Sequence, residues 1–322
     1  MISLEQVTKL YDENIAIENL SVDMESKSIT VLLGKVGSGK STTIKIINKL
    51  TMPEIGQVFI NDLDISEFND EDLRRKIGYL SKDTCLFPHM NVIDNISIIS
   101  KICGLDKLSI QSKAIELMEL VELPYDEYKS KYPKELTKEE IIKVSIARAL
   151  ASEGEIVLMD EPFANLNEKL RLKFQKLILE IQNKLKKTIV FATDDVEEAI
   201  KLGDKIIILA DGKLEFQGNL EKLMFNPKSK FINDFLGKDF YFNILSKMII
   251  EDYMIPIYGE KENVEGIYTI NKNKSLKEAL AFMLQKTLYE VWVADDEEKI
   301  VGKIGSNDII KALTYYKGDK YE

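Results

Sequence analysis

Continuous hydrophobic runs alternate with amphipathic helical segments from the beginning of the chain to about residue 210. Four of these runs, at residues 28–33, 155–159, 188–192 and 205–209, are short and bounded by turn residues, which predicts buried strands. Strands that are hydrophobic along their whole length are typical of a parallel sheet. The pattern therefore predicts an α/β fold for this part of the chain.

The pattern changes to helices alone after residue 91. Three segments, 92–103, 109–121 and 139–150, carry apolar side chains every three to four positions, as one face of a buried helix does. We interpret them as a helical insert within the first domain. Beyond this insert, Asp-Gly at 211–212 separates two strand-like runs, which predicts a hairpin.

A second unit begins at about residue 241, after a helical connector over residues 219–237. Its elements are a helix, two strands and a helix, predicted at residues 275–284, 290–294, 300–304 and from 308 onward. A module this small seldom buries enough surface alone, so we expect it to pair with a copy of itself or with another domain. Residues 249–255 resemble only the lead-in to a second copy. The predicted domains are residues 1–238 and 239–322.

Composition narrows the possible chemistry. The chain has 322 residues, and a prior of about 150 residues per domain gives two domains. It carries 44 basic and 54 acidic side chains, a net charge of −10, which argues against a bulk nucleic-acid binder because such proteins need a basic surface. One histidine, His89, and two cysteines, Cys85 and Cys103, exclude tetracysteine zinc sites, multi-histidine metal centres and disulfide scaffolds.

The sequence gives no sign of a membrane-spanning or targeting segment. No hydrophobic run approaches the roughly 18–20 residues of a membrane span, and the first residues (MISLEQVTKLY) lack the apolar centre of a signal peptide. We therefore expect a cytoplasmic protein that reaches any membrane through a partner.

The strongest chemical motif is a glycine-rich loop that follows the first buried run and opens a helix. It satisfies the phosphate-loop pattern of glycine, four residues and then Gly-Lys-Ser/Thr. Its residues are Gly34, Lys35, Val36, Gly37, Ser38, Gly39, Lys40, Ser41 and Thr42. Glycines let backbone N–H groups turn toward phosphates, Lys40 reaches the β- and γ-phosphates, and the Ser41 hydroxyl binds Mg²⁺. A fortuitous glycine-rich turn is the alternative, and the strand-loop-helix context argues against it.

Two adjacent carboxylates, Asp160 and Glu161, follow the hydrophobic run IVLM. Charged groups at the end of a buried strand need a partner or a metal ion. Alone, the pattern is also compatible with a helix cap, but beside a phosphate loop it becomes specific. Asp160 would then hold Mg²⁺, and Glu161 would orient or deprotonate the water that attacks the γ-phosphate.

These motifs resemble those of the ATP-binding cassette (ABC) ATPases, and within them the ATP-binding subunits of importers for glycine betaine, carnitine, choline or proline. The resemblance extends over nearly the whole chain. Further matching stretches are residues 77–79 (IGY), 86–90 (LFPHM), 132–136 (YPKEL), 147–151 (ARALA), 160–164 (DEPFA), 226–227 (NP) and 231–237 (FINDFLG). The last module, with residues 301–304 (VGKI) and Asp308, resembles a CBS domain.

The resemblance implies a fold and a set of partners. The fold is a P-loop ABC ATPase core, with a RecA-like sheet, an antiparallel β subdomain and a helical subdomain at about residues 88–155, followed by a small α+β CBS-like domain. The implied cofactors are ATP and Mg²⁺. The implied partners are a second ABC subunit, in a homodimer or heterodimer, and a membrane permease at the cytoplasmic face of the membrane, with no nucleic acid. ATP hydrolysis would drive uptake of a quaternary-amine osmoprotectant such as glycine betaine.

Three further roles implied by the resemblance have structural alternatives. Tyr11 would stack on adenine, or pack at the edge of a strand. Residues 86–90 would face the permease, or form a surface turn. Asp308 would contact a ribose in a regulatory CBS domain, or cap a helix.

The sequence departs from the family pattern at four places. All four lie outside the phosphate loop and the Asp160–Glu161 pair, so they affect hydrolysis more than ATP binding. Residues 136–140 are LTKEE where the family has Leu-Ser-Gly-Gly-Gln, so the backbone approach that glycine allows is lost. Thr137 keeps a hydroxyl, whereas Lys138, Glu139 and Glu140 are long and charged.

Three single positions complete these departures. Lys82 replaces a glutamine that touches Mg²⁺, Asp194 replaces a histidine that bonds the γ-phosphate, and Asn167 replaces an aspartate. A protonated lysine cannot bind a cation, and a carboxylate repels phosphate.

We therefore expect ATP binding with weak or partner-dependent hydrolysis, because losing such contacts costs on the order of tenfold to a thousandfold in rate. The alternative is a hydrolysis-impaired regulatory or heterodimeric ABC subunit that binds ATP and turns it over weakly. A soluble cassette of translation or DNA repair is disfavoured, since those proteins usually carry two cassettes or a long coiled-coil insert.

Overall fold

Two compact units, Met1–Leu223 and Met224–Glu322, make up the chain. The computed structural model describes residues 1–83, 86–225, 232, 235–237, 240–257 and 268–314. The predicted domain boundary between residues 238 and 239 lies outside the described residues. So do most of the connector positions that match the family, namely residues 226–227, 231 and 233–234.

Two sheets form the frame of the first unit. Its strands are β1 (Ile2–Tyr11), β2 (Asn14–Met24), β3 (Ile29–Leu33), β4 (Ile55–Ile60), β5 (Leu63–Asp64), β6 (Ile77–Ser81), β7 (Ile156–Asp160), β8 (Thr188–Thr193), β9 (Lys205–Ala210) and β10 (Lys213–Gly218). A six-stranded sheet has the order β10-β9-β3-β8-β7-β6, and an antiparallel four-stranded sheet has the order β2-β1-β4-β5. The four strands predicted from hydrophobic runs are confirmed as β3, β7, β8 and β9.

The six-stranded sheet is parallel from β6 through β7, β8 and β3 to β9. Every residue of β3 and β8 is buried, because helices cover both faces of a parallel sheet and each face must be hydrophobic. The predicted hairpin at Asp211 and Gly212 is confirmed, since β10 runs antiparallel to β9. Both turn residues have positive φ, at 47° and 77°, as the two-residue hairpin turn requires.

Helices surround this frame. In the first unit and the connector they are α1 (Lys40–Ile47), α2 (Asp70–Lys76), α3 (Val92–Ile102), α4 (Lys107–Leu120), α5 (Tyr125–Tyr128), α6 (Lys138–Leu150), α7 (Glu168–Leu185), α8 (Val196–Leu202) and α9 (Leu220–Phe225). Helix α1 places Ile44, Ile46 and Ile47 in one buried cluster with apolar side chains of both sheets. In the described parts of the chain, no helix combines the length and hydrophobicity that crossing a membrane requires.

The three predicted helices of the insert are confirmed as α3, α4 and α6. Each begins at a polar N-cap residue whose side chain accepts backbone N–H groups, namely Asn91, Asp106 and Thr137. Such caps satisfy N–H groups that have no partner within the helix. Helix α3 packs against α4 and α6, which forms the predicted helical subdomain.

The second unit contains a four-stranded sheet of order β11-β14-β13-β12. Its described elements are α10 (Phe240–Ile244), α11 (Ile250–Tyr253), β11 (Ile255–Pro256), β12 (Thr269–Asn271), α12 (Leu276–Lys286), β13 (Glu290–Ala294), β14 (Ile300–Gly305) and α13 (Ser306–Thr314). The predicted helix, two strands and helix are confirmed as α12, β13, β14 and α13. Residues 249–255, predicted only as the lead-in to another copy, instead contribute α11 and part of β11 to this same module. Strands of two and three residues leave no hydrophobic alternation from which to predict them.

Candidate functional site

The phosphate loop connects the end of β3 to the start of α1. A Cβ atom on Gly34 would lie 2.4 Å from the carbonyl oxygen of Leu209, and one on Gly39 would lie 2.8 Å from that of Ala16. Gly39 also has φ of 102°, which side chains disfavour. Both glycines are therefore required by the backbone around the loop, independently of any ligand.

Lys40 points back into this loop. Its side chain is 3% exposed, and its Nζ donates to the carbonyl oxygens of Gly34, at 2.7 Å, and Lys35, at 3.0 Å. A buried ammonium group needs such partners to offset its lost hydration. The same Nζ lies 3.4 Å from Oε1 of Glu161, so the loop and the end of β7 are connected by an ion pair.

Ser41 and Asp160 form the second connection between loop and sheet. The Ser41 hydroxyl donates to Asp160 Oδ1 at 2.8 Å, although the two residues are far apart in sequence. Desolvation by burial raises the pKa of Asp160, while the Ser41 hydrogen bond acts in the opposite direction. Two oxygen atoms thus meet beside the first turn of α1, a donor set of the kind that Mg²⁺ prefers.

Glu161 lies between two lysines. Its backbone N–H donates to Ala192 at 3.0 Å, and its φ of 47° is in the left-handed region. Oε1 lies 3.4 Å from Lys40 Nζ, and Oε2 lies 3.4 Å from Lys82 Nζ. The sequence pointed to Lys82 only as a side chain unable to bind a metal; its pairing with Glu161 was not anticipated.

The residues that replace the family's Leu-Ser-Gly-Gly-Gln sequence are engaged inside their own subunit. Thr137 caps α6 in a reciprocal capping box with Glu140, and Glu140 also accepts the Tyr128 hydroxyl at 2.5 Å. Glu139 forms an ion pair with Lys173 at 2.8 Å. Lys138 donates to the Asn165 carbonyl. The four side chains therefore stabilise the helix start and fasten it to the segment after β7.

The segment after β8 carries Asp194. It begins beside the phosphate loop, because the Gly34 N–H donates to the Thr193 carbonyl at 3.3 Å. Asp194 is exposed and lines a cleft of about 200 Å³ together with Val36 and Glu161. The structure thus brings Asp194 close to the loop, where a carboxylate adds negative charge.

A buried carboxylate, Glu198, forms a hydrogen bond with Thr193 at the start of this segment. Sequence reasoning did not identify it. Glu198 is 4% exposed, and it accepts the Thr193 hydroxyl at 2.6 Å. The Arg171 guanidinium forms an ion pair with Asp195, with Nη1 2.7 Å from Oδ2, and its Nε lies 3.8 Å from Glu198 Oε1. Burial raises the pKa of Glu198, and the Thr193 hydrogen bond opposes that shift. Helix α8 buries Glu198 together with its apolar residues. A glutamate is normally expected on the exposed side of a helix, so the hydrophobic pattern gives no sign that Glu198 is buried.

The structure places two other candidate positions on the surface of the first unit. Tyr11, at the end of β1, is 44% exposed, and Lys9 Nζ lies 5.3 Å from its ring centre. The 86–90 turn is organised by buried Asn95, which bonds the backbone of Phe87, Met90 and Asn91. The Phe87 ring, at the start of this turn, is 39% exposed, and its centre lies 5.6 Å from the Arg148 guanidinium and 6.0 Å from the His89 ring. Both rings are therefore partly exposed and partly covered by side chains of their own subunit.

Asn167 and Asp308 have local structural roles. Asn167 caps α7 by accepting the Leu170 N–H at 2.9 Å. In the second unit, Asp308 is the third residue of α13 and accepts the Gly305 N–H at 3.0 Å. It therefore stabilises the start of the helix from inside the first turn, and it is not itself the N-cap residue.

Comparison with known proteins agrees with this geometry. A family model described as "ABC transporter" matches residues 17–164, and one described as "CBS domain" matches residues 250–315. The carnitine transport ATP-binding protein OpuCA of Listeria monocytogenes is 34% identical over 310 residues, which cover 96% of this chain and 76% of that protein. The glycine betaine/carnitine/choline transport ATP-binding protein OpuCA of Bacillus subtilis is 34% identical over 94% of this chain and 78% of that protein.

A solved structure of an ABC cassette is also similar to this chain. The dimeric cassette MJ0796, in a post-hydrolysis state bound to ADP and phosphate, has a TM-score of 0.61 and 29% identity over 68% of this chain and 99% of that chain. The predicted combination of an ABC ATPase core with a C-terminal CBS domain is confirmed.

Glu198 predicts a pH dependence of stability. Its ordinary pKa is near 4.5 and burial raises it in the folded chain, so the folded state holds a proton that the unfolded state has lost. The free energy of unfolding therefore contains a contribution that falls as pH rises from about 4.5 through the folded pKa, by about 1.4 kcal/mol per unit of pKa shift. Urea unfolding between pH 4 and 8 measures it.

The Glu198→Gln variant should lack this contribution, because it cannot ionise. Glu197→Gln, on the same helix but half-buried, is the matched control and should keep it. A Glu198→Gln profile parallel to that of the unmodified chain would contradict the prediction.

Proposed function

The chain belongs to the ABC transporter family of ATP-binding proteins, and we propose that it is the subunit that couples ATP binding and hydrolysis to import of a quaternary-amine osmoprotectant such as glycine betaine, carnitine or choline. One observation carries the ATP-dependent part: the phosphate loop, the Ser41–Asp160 pair and Glu161 lie together at the carboxyl edge of the parallel sheet. The substrate class rests on the transport proteins named above, which the chain matches over both of its units.

Nucleotide binding is assigned to the phosphate loop. Its backbone N–H groups and the start of α1 would bind the β- and γ-phosphates. On binding, the Lys40 ammonium group would leave the carbonyl oxygens of the loop and the Glu161 carboxylate and bind phosphate oxygens instead. The exposed Tyr11 ring would stack on adenine. The binding residues are Tyr11, Gly34, Lys35, Val36, Gly37, Ser38, Gly39, Lys40, Ser41 and Thr42.

Magnesium is assigned to Ser41 and Asp160. Their oxygen atoms are 2.8 Å apart, and a hydroxyl and a carboxylate are hard oxygen donors that suit this ion. Bound Mg²⁺ would neutralise charge that develops on the phosphates. The hydrogen bond from the Ser41 hydroxyl holds the Asp160 carboxylate beside the loop.

Hydrolysis is assigned to Glu161 and Lys40. Glu161 would accept a hydrogen bond from the attacking water, and Lys40 would stabilise charge on the phosphates. Three features weaken this step: the Lys82 ammonium on Glu161, the exposed Asp194 carboxylate in the same cleft, and the engagement of residues 137–140 within their own subunit. We therefore propose slow turnover that rises in the assembled transporter.

The partners follow from the same assignment. Family members act as dimers on a membrane permease, and we assign the permease contact to the turn at residues 86–90, whose Phe87 ring is exposed while Asn95 fixes its backbone. The subunit would then lie at the cytoplasmic face of the membrane without entering it. Residues 239–322 would form the regulatory CBS domain.

Reconstitution with the cognate permease tests the function. We expect the purified chain alone to release phosphate at least about tenfold more slowly than a cassette with an intact Leu-Ser-Gly-Gly-Gln sequence, because contacts that stabilise the transition state are missing. In proteoliposomes that contain the permease, both ATP turnover and uptake of radiolabelled glycine betaine should rise. The Glu161→Gln variant, which keeps the shape of the side chain, should abolish both.

Two results would contradict this assignment. Uptake that proceeds without ATP, or with the Glu161→Gln subunit, would exclude the chain as the motor. ATP binding with no turnover in the assembled transporter would favour the hydrolysis-impaired alternative.

Deletion of residues 239–322 tests whether ATP binding belongs to the first domain and regulation to the second. We expect the remaining chain to bind ATP·Mg²⁺ with unchanged affinity, because every assigned contact lies within the first compact unit. Regulation of turnover by ionic strength in proteoliposomes should change. Loss of nucleotide binding by a truncated chain that remains folded by circular dichroism would contradict the two-domain assignment.

A further inference from the structure

Lys82 has a partner that its place in the family pattern does not suggest. Its Nζ lies 3.4 Å from Glu161 Oε2, and the Lys82 side chain is 49% exposed while that of Glu161 is 15% exposed. The other carboxylate oxygen, Oε1, lies 3.4 Å from Lys40 Nζ. Both oxygens of the proposed catalytic carboxylate are thus occupied by ammonium groups.

The sheet determines this pairing. Strands β6 and β7 are parallel neighbours, with Ser81 opposite Asp160, so the residues that follow each strand, Lys82 and Glu161, leave the sheet side by side. The Ser81 hydroxyl donates to the Asp83 carbonyl at 2.7 Å, which tightens the turn that carries Lys82. The Glu161 N–H is bonded to Ala192 at 3.0 Å. Neither backbone is free to move away without breaking these bonds.

The two lysines differ in what else they can bind. Lys40 belongs to the phosphate loop, so bound phosphates compete with Glu161 for its ammonium group. Lys82 lies outside the loop, and the partner that the structure gives its ammonium group is Glu161. Lys82 lines the cleft of about 200 Å³ described above, beside Glu161. Among the described residues that line it, the second cation is Arg171. It is paired with Asp195 at 2.7 Å and lies 3.8 Å from Glu198, so it does not compete for Glu161.

We propose that Lys82 is a positioning residue that holds Glu161 through Oε2 and thereby slows hydrolysis in the isolated subunit. This inference rests on the proposed role of Glu161 toward the attacking water. An oxygen that accepts a hydrogen bond from an ammonium group is a poorer acceptor for water, and the ion pair also restricts the angle at which the carboxylate meets the water. Lys82 acts through Glu161 and touches no reacting atom.

The Lys82→Gln variant tests the inference. Gln keeps most of the length of the side chain and removes its charge, so Oε2 becomes available to water. We expect kcat of the purified chain to rise about two- to fivefold, the effect of an ion pair open to solvent, while KM for ATP changes little. Lys82→Arg, which preserves the charge, should keep kcat low.

Controls separate this role from a general effect of charge. Lys176→Gln makes the same change on α7, where Lys176 is 80% exposed and pairs with Glu180 at 3.6 Å, and it should leave kcat unchanged. Combining Lys82→Gln with Glu161→Gln should give no rise over Glu161→Gln alone. Thermal unfolding checks that every variant is folded.

Several outcomes would overturn the inference. An unchanged or lower kcat in Lys82→Gln, a change confined to KM, or an equal rise in Lys82→Arg would each show that the Lys82 charge does not hold Glu161 back. Two other results would instead contradict the proposed function. If the unmodified chain binds no fluorescent ATP analogue, the nucleotide assignment fails. If Glu161→Gln hydrolyses ATP at the unmodified rate, the role assigned to Glu161 fails.

Discussion

The carboxyl ends of β3, β8, β7 and β6 lie side by side, and the charged groups of the site leave from these ends. The phosphate loop follows β3, Asp194 follows β8, Asp160 and Glu161 end β7, and Lys82 follows β6. Strand order and register therefore decide which charges meet. Because both central strands are buried along their whole length, a shift of register would expose hydrophobic side chains, and the arrangement of charges is fixed by the core.

This arrangement separates the groups that we propose to bind nucleotide from those that we propose to hydrolyse it. The loop backbone, Lys40, Ser41 and Asp160 form a cradle that uses oriented N–H groups and one lysine, so a net charge of −10 is no obstacle to binding phosphates. Glu161, by contrast, meets a cation on each oxygen, and Asp194 adds a negative charge to the same cleft. The three charged residues at positions 138–140 are bonded within their own subunit, where the family has small or uncharged side chains.

Much of the fold and the central motif could be predicted from the sequence, because they depend on neighbours along the chain. Hydrophobic runs predicted β3, β7, β8 and β9, and apolar spacing predicted α3, α4 and α6. The pattern of glycines followed by Lys-Ser predicted the phosphate loop. Contacts between elements could not be predicted in this way. Lys82 and Glu161 are 79 residues apart, and Glu139 and Lys173 are 34 apart; each pair meets only because separate elements pack together. The short strands β11 and β12 were missed because they are too brief to show alternation.

The most direct test of the account is equilibrium binding of a fluorescent ATP analogue with Mg²⁺ to the unmodified chain, to Lys40→Ala and to Glu161→Gln. The cradle predicts that the unmodified chain and Glu161→Gln bind with similar affinity. Lys40→Ala should bind about ten- to a hundredfold more weakly, because it loses a charged hydrogen bond to phosphate. Equal binding by Lys40→Ala, or no binding by the unmodified chain, would contradict the claim that this site holds nucleotide.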